Sequence, residues 1–365
     1  MKNTIVNFCN YYYGSKVYKE LFFHLNAINF NTYSIVATKS ADVVTENFDL
    51  KVQTYGCLNL LSRLFYSYKI YRISRLIDCQ LPLSEIKFIH AHTLYSDGIV
   101  AFLFSRKINK ELIITIRTTD VALGFKFYFH YKWLAKKALA YANKIVFVAP
   151  AHKVKFQQYF GHCYDNKIIV IPNGIDKFYL ENKLTSAVHK NKNHVALYVG
   201  TVNKNKNLKA SIIAFFNVSV NSDDEFRVVG GTYKEYVDIY GELPVNLIHR
   251  VNFLGKLSKE QVLEQMRAST LFIMVSHSET FGLVYIEAIS QCLPIVYTLG
   301  QGVDGYFNDG EFGYRADSND IDSISHAISR TTSDFPHGLG PFVENPANNF
   351  SWESIATIYK EQVYK

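Results

Sequence analysis

Three consecutive stretches decide how this chain folds: Leu271-Phe-Ile-Met-Val-Ser276, Glu279-Thr-Phe-Gly-Leu-Val-Tyr-Ile-Glu287 and Pro294-Ile-Val-Tyr-Thr298. The first and last are short, apolar and rich in β-branched residues. The middle one opens with a loop and continues as a helix through Glu287, Ala288 and Ile289. A strand, a helix and a second strand make one βαβ unit, and strands this apolar suit a parallel sheet buried on both faces.

Working outward, the same alternation fills most of the sequence. Apolar runs occur at Thr4–Cys9, Ser34–Thr38, Lys87–His92, Leu112–Arg117, Lys144–Ala149 and Lys167–Ile171. A second series follows at Val195–Gly200, Phe226–Gly230, Val251–Leu254, Leu271–Ser276, Pro294–Thr298 and Gly313–Ala316. Helical patterns separate them, so the class is α/β. Between the two series lie the turn Pro172-Asn173-Gly174 and the polar stretch Glu181–Asn193. The expected domains are residues 1–175 and 176–350, followed by a helix at 351–365 capped by Ser351, with Trp352, Ile355, Ile358, Tyr359 and Val363 roughly on one face.

Composition limits the function classes. The chain has 365 residues, about half of them apolar, which suits two ordinary globular domains. Its net charge of +7 favours anionic partners without choosing among them. The five cysteines (Cys9, Cys57, Cys79, Cys163, Cys292) include no CxxC pair, so no zinc framework is expected and a reducing cytoplasm fits. No secretory h-region and no span of about 18 apolar residues is seen.

The stretch from Glu279 to Glu287, with Phe281-Gly282 inside and Pro294 after it, resembles the EX7E motif of retaining GT-B glycosyltransferases of family 4. Val170-Ile-Pro-Asn-Gly-Ile-Asp176 resembles the family's PNGID linker. Val199-Gly200 followed by Lys206-Asn207 is similar to its strand and phosphate-binding loop, and Gln301-Gly-Val-Asp-Gly305 to the loop after the next strand. The ordered set is far more specific than any one motif, and it covers nearly the whole chain. The resemblance implies a GT-B fold: two Rossmann-like, doubly wound domains facing a cleft, with the C-terminal helix crossing back to the first domain.

The same resemblance implies the site. Glu287 would bind ribose hydroxyls and Glu279 the donor sugar. Backbone N–H groups near Phe281, Gly282 and Leu283 would meet sugar and diphosphate. Lys206 would neutralise the diphosphate, where fixed charge counts most in the transition state. The family's usual Arg after Gly200 is Thr201 here; Lys204 either supplies that charge or is a solvated loop residue. In the first domain, Thr115-Ile-Arg117-Thr-Thr-Asp120 places Arg117 where relatives often carry His. Arg117 cannot act as a base, but its fork can hold hydroxyls, phosphate or a sugar carboxylate. Asp120 either orients Arg117, contacts the acceptor, or serves the turn. Gly14, after Tyr11-Tyr12-Tyr13, stands where relatives often have a Gly-Gly loop near the donor phosphates. His90 and His92 fall on one face of their strand and line the crevice or support it structurally, with His92 placed on the acceptor side.

Catalysis is thus expected at Glu279, Arg117 and Lys206, with donor contacts from Gly14, Lys204, Phe281, Gly282, Leu283 and Glu287 as well. No cofactor and no metal is expected. Asp320-Ile-Asp322 matches a metal motif of the other major glycosyltransferase fold, but capping of the following helix explains it better, and Asp223-Asp224 reads as a polar turn.

Two aromatic–basic segments, Leu60–Ile77 and Phe125–Lys137, suit either peripheral docking on an anionic membrane or surface helices with a buried aromatic face. The expected protein is a cytoplasmic hexosyltransferase, peripheral on the inner face of the membrane, acting for bacterial surface polysaccharide. Its partners would be a nucleotide-sugar donor and a saccharide or polyprenyl-linked acceptor, with no nucleic acid. A non-catalytic donor-binding subunit and a nucleotide-sugar 2-epimerase are the alternatives.

Overall fold

The computed structural model describes residues 3–38, 51–56, 58–59, 66–76, 83–125, 128–187 and 193–365. Cys57 and Cys79, and parts of the two aromatic–basic segments, lie outside these residues. The chain divides into two compact units, one comprising residues 1–148, 152–174 and 352–365, the other residues 149–151 and 175–351.

The first unit holds a parallel sheet of seven strands: β1 (Asn3–Phe8), β2 (Phe30–Thr38), β3 (Lys51–Gly56), β4 (Ile86–Ala91), β5 (Glu111–Ile116), β6 (Lys144–Phe147) and β7 (Ile168–Val170). Their order is β3-β2-β1-β4-β5-β6-β7. The pleat sends alternate residues to opposite faces. Val6, Phe8, Leu112, Ile114, Ile145 and Phe147 enter one core with the helices Ile99–Ile108, Lys132–Tyr141 and Pro150–Phe160. Ile5, Ile113 and Val146 enter the other, with the helix Lys16–Ala27 and the C-terminal helix Trp352–Ile358. That last helix runs on into a wider turn, Tyr359–Val363, and buries Trp352, Ile355, Tyr359, Val363 and Tyr364. Gly174 of the Pro-Asn-Gly turn is required here, because a Cβ would stand 2.5 Å from the Trp352 ring.

The second unit holds a parallel sheet of six strands: β8 (Val195–Val199), β9 (Glu225–Val229), β10 (Val251–Gly255), β11 (Leu271–Ile273), β12 (Ile295–Thr298) and β13 (Gly313–Ala316), in the order β10-β9-β8-β11-β12-β13. One continuous core spans the sheet and its helices. Helix starts are set by local chemistry. Thr232 with Glu235 and Ser258 with Gln261 form capping boxes. Asp320 caps Ile321–Asp334 by accepting the Asp322 N–H, which accounts for Asp320-Ile-Asp322. Asp224 is buried and accepts the His194 N–H at 2.7 Å, so it belongs to a turn.

Each of the twelve apolar runs falls on a strand, with ends displaced by up to four residues: β2 begins at Phe30, ahead of its run at Ser34. β3 was not foreseen. It is an edge strand, Lys-Val-Gln-Thr-Tyr-Gly, paired only with β2 and half-exposed along its length, so it carries no apolar run. Among the described residues no helix is long and apolar enough to cross a membrane, and no cluster of three or more His, Cys, Asp or Glu could hold a metal.

Candidate active site

In an open parallel sheet, ligands bind beyond the carboxyl ends of the strands where the strand order reverses, because the loops there leave in opposite directions. The second unit has that reversal between β8 and β11. Lys206 follows β8, on the turn Lys204–Lys206 whose N-cap Asn203 accepts the Lys206 N–H. Glu279 follows β11. The two side chains meet, Nζ to Oε2 at 2.5 Å, with only 22% and 14% of their side-chain surfaces exposed. They are 73 positions apart in sequence and adjacent only because β8 and β11 pair.

Glu279 is held on several sides. Its Oε1 accepts the Thr280 N–H, its own N–H donates to Gln301 Oε1, and its carbonyl accepts the Gly302 N–H. Gly302 sits at φ +53, where a Cβ would lie 2.8 Å from the Phe281 carbonyl oxygen. The loop after β12 thus closes on the loop after β11. Gly282 starts the helix Leu283–Ser290 at φ 81, and a Cβ there would stand 2.4 Å from the Tyr285 ring. The Phe281 ring is buried against Tyr306 and Phe350, so Phe281 offers the site only its backbone. The first N–H groups of the helix are free of intrahelical partners and suit anionic or hydroxyl oxygens.

Glu287 lies one turn into that helix and is half-buried. Burial chiefly, and the Asp176 carboxylate next, push its pKa up to about 7, against a smaller opposing pull from Lys259. Asp176 caps the helix Lys177–Glu181 and pairs with Lys259. Among the described residues nothing donates a hydrogen bond to the Glu287 carboxyl. Lys204 is exposed and its ammonium reaches no carboxylate among the described residues.

The first unit reverses its order between β1 and β4. Cys9, His92 and Arg117 are the first residues beyond β1, β4 and β5. All three are buried. The Arg117 guanidinium lies 4.7 Å from the Tyr18 ring, which also meets the His92 ring edge-on at 5.3 Å. His90 stacks on His92 at 4.2 Å and bonds Tyr364 and Thr115. His92 Nε2 bonds Asn7, and its side chain has no exposed surface. Burial, with Arg117 nearby, pushes the His90 pKa down to about 3 and that of His92 well down, so both rings are neutral.

Asp120 is committed to structure. Its Oδ1 accepts the N–H groups of Leu94 and Tyr95, and its Oδ2 that of Arg117. Sequence reasoning missed Asp97. It is buried in the loop after β4, accepts the Asn10 N–H at 3.2 Å and the Thr93 hydroxyl at 2.9 Å, and its pKa is pushed up to about 7 by burial. The available signal was its place: a carboxylate just past the strand at which the order reverses. Gly14 is covered by the Tyr11 ring, 2.4 Å from where a Cβ would sit.

Comparison with known proteins agrees with this fold. Residues 34–177 match the model described as Glycosyltransferase Family 4, and residues 181–337 that described as Glycosyl transferases group 1. An uncharacterized glycosyltransferase of Methanocaldococcus jannaschii is 25% identical over 302 residues, 81% of this chain and 80% of that protein. A capsular polysaccharide biosynthesis glycosyltransferase of Staphylococcus aureus is 27% identical over 287 residues, 72% of each. The structure of sucrose-phosphate synthase from Thermosynechococcus elongatus superposes with a TM-score of 0.73 at 17% identity, covering 100% of this chain and 98% of that one. With the two family models adjoining across both sheets and this fold throughout, the chain belongs to family 4 of the retaining, nucleotide-sugar-dependent GT-B glycosyltransferases.

Proposed function

We propose that this enzyme moves a hexose-type sugar from a nucleotide-sugar donor to a saccharide or polyprenyl-linked saccharide, with retention, in the assembly of a bacterial surface polysaccharide. The observation that carries the donor site is the Lys206–Glu279 contact at the β8/β11 reversal. A lysine and a glutamate held together in a half-buried crevice can separate their tasks when a ligand enters. The ammonium turns to the diphosphate and the carboxylate to sugar hydroxyls. Glu287, without a donor of its own, is free to accept hydrogen bonds from a ribose diol. The N–H groups of Phe281, Gly282 and Leu283 complete the anion cradle.

Glu279, whose oxygens meet the Lys206 ammonium and the Thr280 N–H, is assigned to sugar hydroxyls and not to nucleophilic attack. Charge building on the leaving diphosphate is met by Lys206 and the helix N-terminus, whose hold strengthens as that charge develops. The surface-polysaccharide assignment is supported by the name of the capsular relative from Staphylococcus aureus. Membrane association is supported by exposed Phe129 and Trp133 in the second aromatic–basic segment, where the Lys137 ammonium lies 4.8 Å from the Trp133 ring. A panel of nucleotides and nucleotide sugars screened by thermal shift tests the donor reading. One nucleoside diphosphate series should raise the melting temperature selectively. Indifference to all of them would remove it.

A further inference from the structure

The first unit contains a buried guanidinium that donates no hydrogen bond among the described residues. Arg117 retains 8% of its surface exposed, and its Nε is covered with no acceptor. Among the described residues no carboxylate, carbonyl or hydroxyl accepts a hydrogen bond from its guanidinium. The nearby carboxylates are otherwise engaged, Asp120 by three N–H groups and Asp97 by the Asn10 N–H and the Thr93 hydroxyl. The neighbouring imidazoles are neutral and bring no compensating charge. His92 Nδ1 is also covered and unpartnered.

A buried guanidinium ordinarily satisfies its five donors, because leaving them unmet is costly. Here the guanidinium carbon lies 4.7 Å from the Tyr18 ring, Nε is covered with no acceptor, and the terminal nitrogens make no hydrogen bond among the described residues. That is the arrangement of a fork built to receive a planar oxyanion. Its position agrees. Arg117 leaves the carboxyl end of β5, two strands from β1 across β4, beside the reversal at which such sheets bind ligands.

We propose that Arg117 is a specificity residue that binds an oxyanion of the substrate handled by this unit, either the carboxylate of an acidic sugar or a phosphoryl group. The proposal rests on the glycosyltransferase reading for the word substrate, but its test does not. The probes are D-glucuronate, pyrophosphate and methyl glucoside, titrated by saturation-transfer NMR into the full chain carrying Lys206→Ala. That background removes the anion contact expected in the other unit. At least one anionic probe should bind, and Arg117→Gln should weaken it tenfold or more while leaving methyl glucoside unchanged. Glucuronate alone points to an acidic sugar, and pyrophosphate alone to a phosphoryl group. Should Arg117→Gln fail to fold, Arg117→Lys decides: it keeps the charge, loses the fork, and should still weaken the anion several-fold. The proposal is overturned if neither anion binds, if the substitutions leave anion binding unchanged, or if the neutral glucoside is weakened equally. Nucleotide affinity, measured on the unsubstituted chain, reports separately on the donor site.

Discussion

Glu287→Gln should make the protein more stable and a poorer donor binder at once. The carboxyl is raised from an ordinary 4.5 to about 7, first by burial and then by Asp176. The folded protein therefore holds this proton more tightly than the unfolded chain does. The resulting stabilisation is fully present below about pH 4.5 and is lost as pH rises through 7. Above that, the ionised carboxylate costs the fold roughly 3 kcal/mol relative to its protonated form, the free-energy equivalent of the shift. Glutamine has the same shape and no charge to desolvate. At pH 8 it should raise the unfolding free energy by up to about 3 kcal/mol, a melting gain on the order of 5–10 °C for a unit of this size. At pH 4 the two proteins should melt alike. Nucleoside diphosphate affinity should move the other way, falling by about 1.5–3 kcal/mol because a charged acceptor for the ribose hydroxyls is gone. That deficit should shrink below pH 7, where wild type also carries a neutral group. Calorimetric titration and melting across pH 4–8 measure both. A glutamine variant that melts lower at pH 8 would show that the carboxylate is held by favourable partners, and the burial argument would fail. Equal nucleotide affinity would remove Glu287 from the donor site.

Three other outcomes are expected. Lys206→Ala should slow transfer by about 10²-fold, in line with loss of one transition-state charge contact, while nucleoside affinity barely changes; donor kinetics equal to wild type would shift the assignment to Lys204. Gly282→Ala should destabilise the second unit by more than about 1 kcal/mol, because φ 81 and the Tyr285 ring both exclude a Cβ. Chemical denaturation measures this, and an unchanged midpoint would mean that the helix start can shift. The protein should float with anionic liposomes at low salt and release as exposed charges are screened within about 10 Å near 0.1 M; absence of flotation at low salt would remove the membrane reading.

The fold was legible because it is written in local patterns. Apolar runs of four to six residues report burial on both faces of a parallel sheet, and both sheets are parallel and covered in this way. β3 escaped for the reverse reason: a polar edge strand with one neighbour needs no apolar run. Where a run outlasts its strand, as Leu271–Ser276 outlasts β11, the residues past Ile273 are still buried although the ladder has ended. Apolarity reports burial, and pairing only through it.

Site residues follow a different rule. Glu279 and Glu287 stand close in sequence, and one loop-to-helix turn presents both. Lys206 joins them only because β8 pairs with β11, a fact of topology that spacing alone does not contain. In the first unit the relevant groups come from three strand ends, and polarity says little about their state. Asp120 stands out in the sequence and Asp97 does not, yet the oxygens of both hold backbone loops in place. Arg117 reads as a site residue at the end of its strand, and the structure buries it with its Nε unpaired. The difference lies in donor supply. A carboxylate beside a strand end is surrounded by the N–H groups of neighbouring loops and is readily satisfied by them. A guanidinium in the same place needs acceptors, and the described loops here turn none toward it. A strand end rich in N–H groups therefore satisfies carboxylates and leaves cations without acceptors, which is why Arg117 and not Asp120 is the group proposed to meet a ligand in this unit.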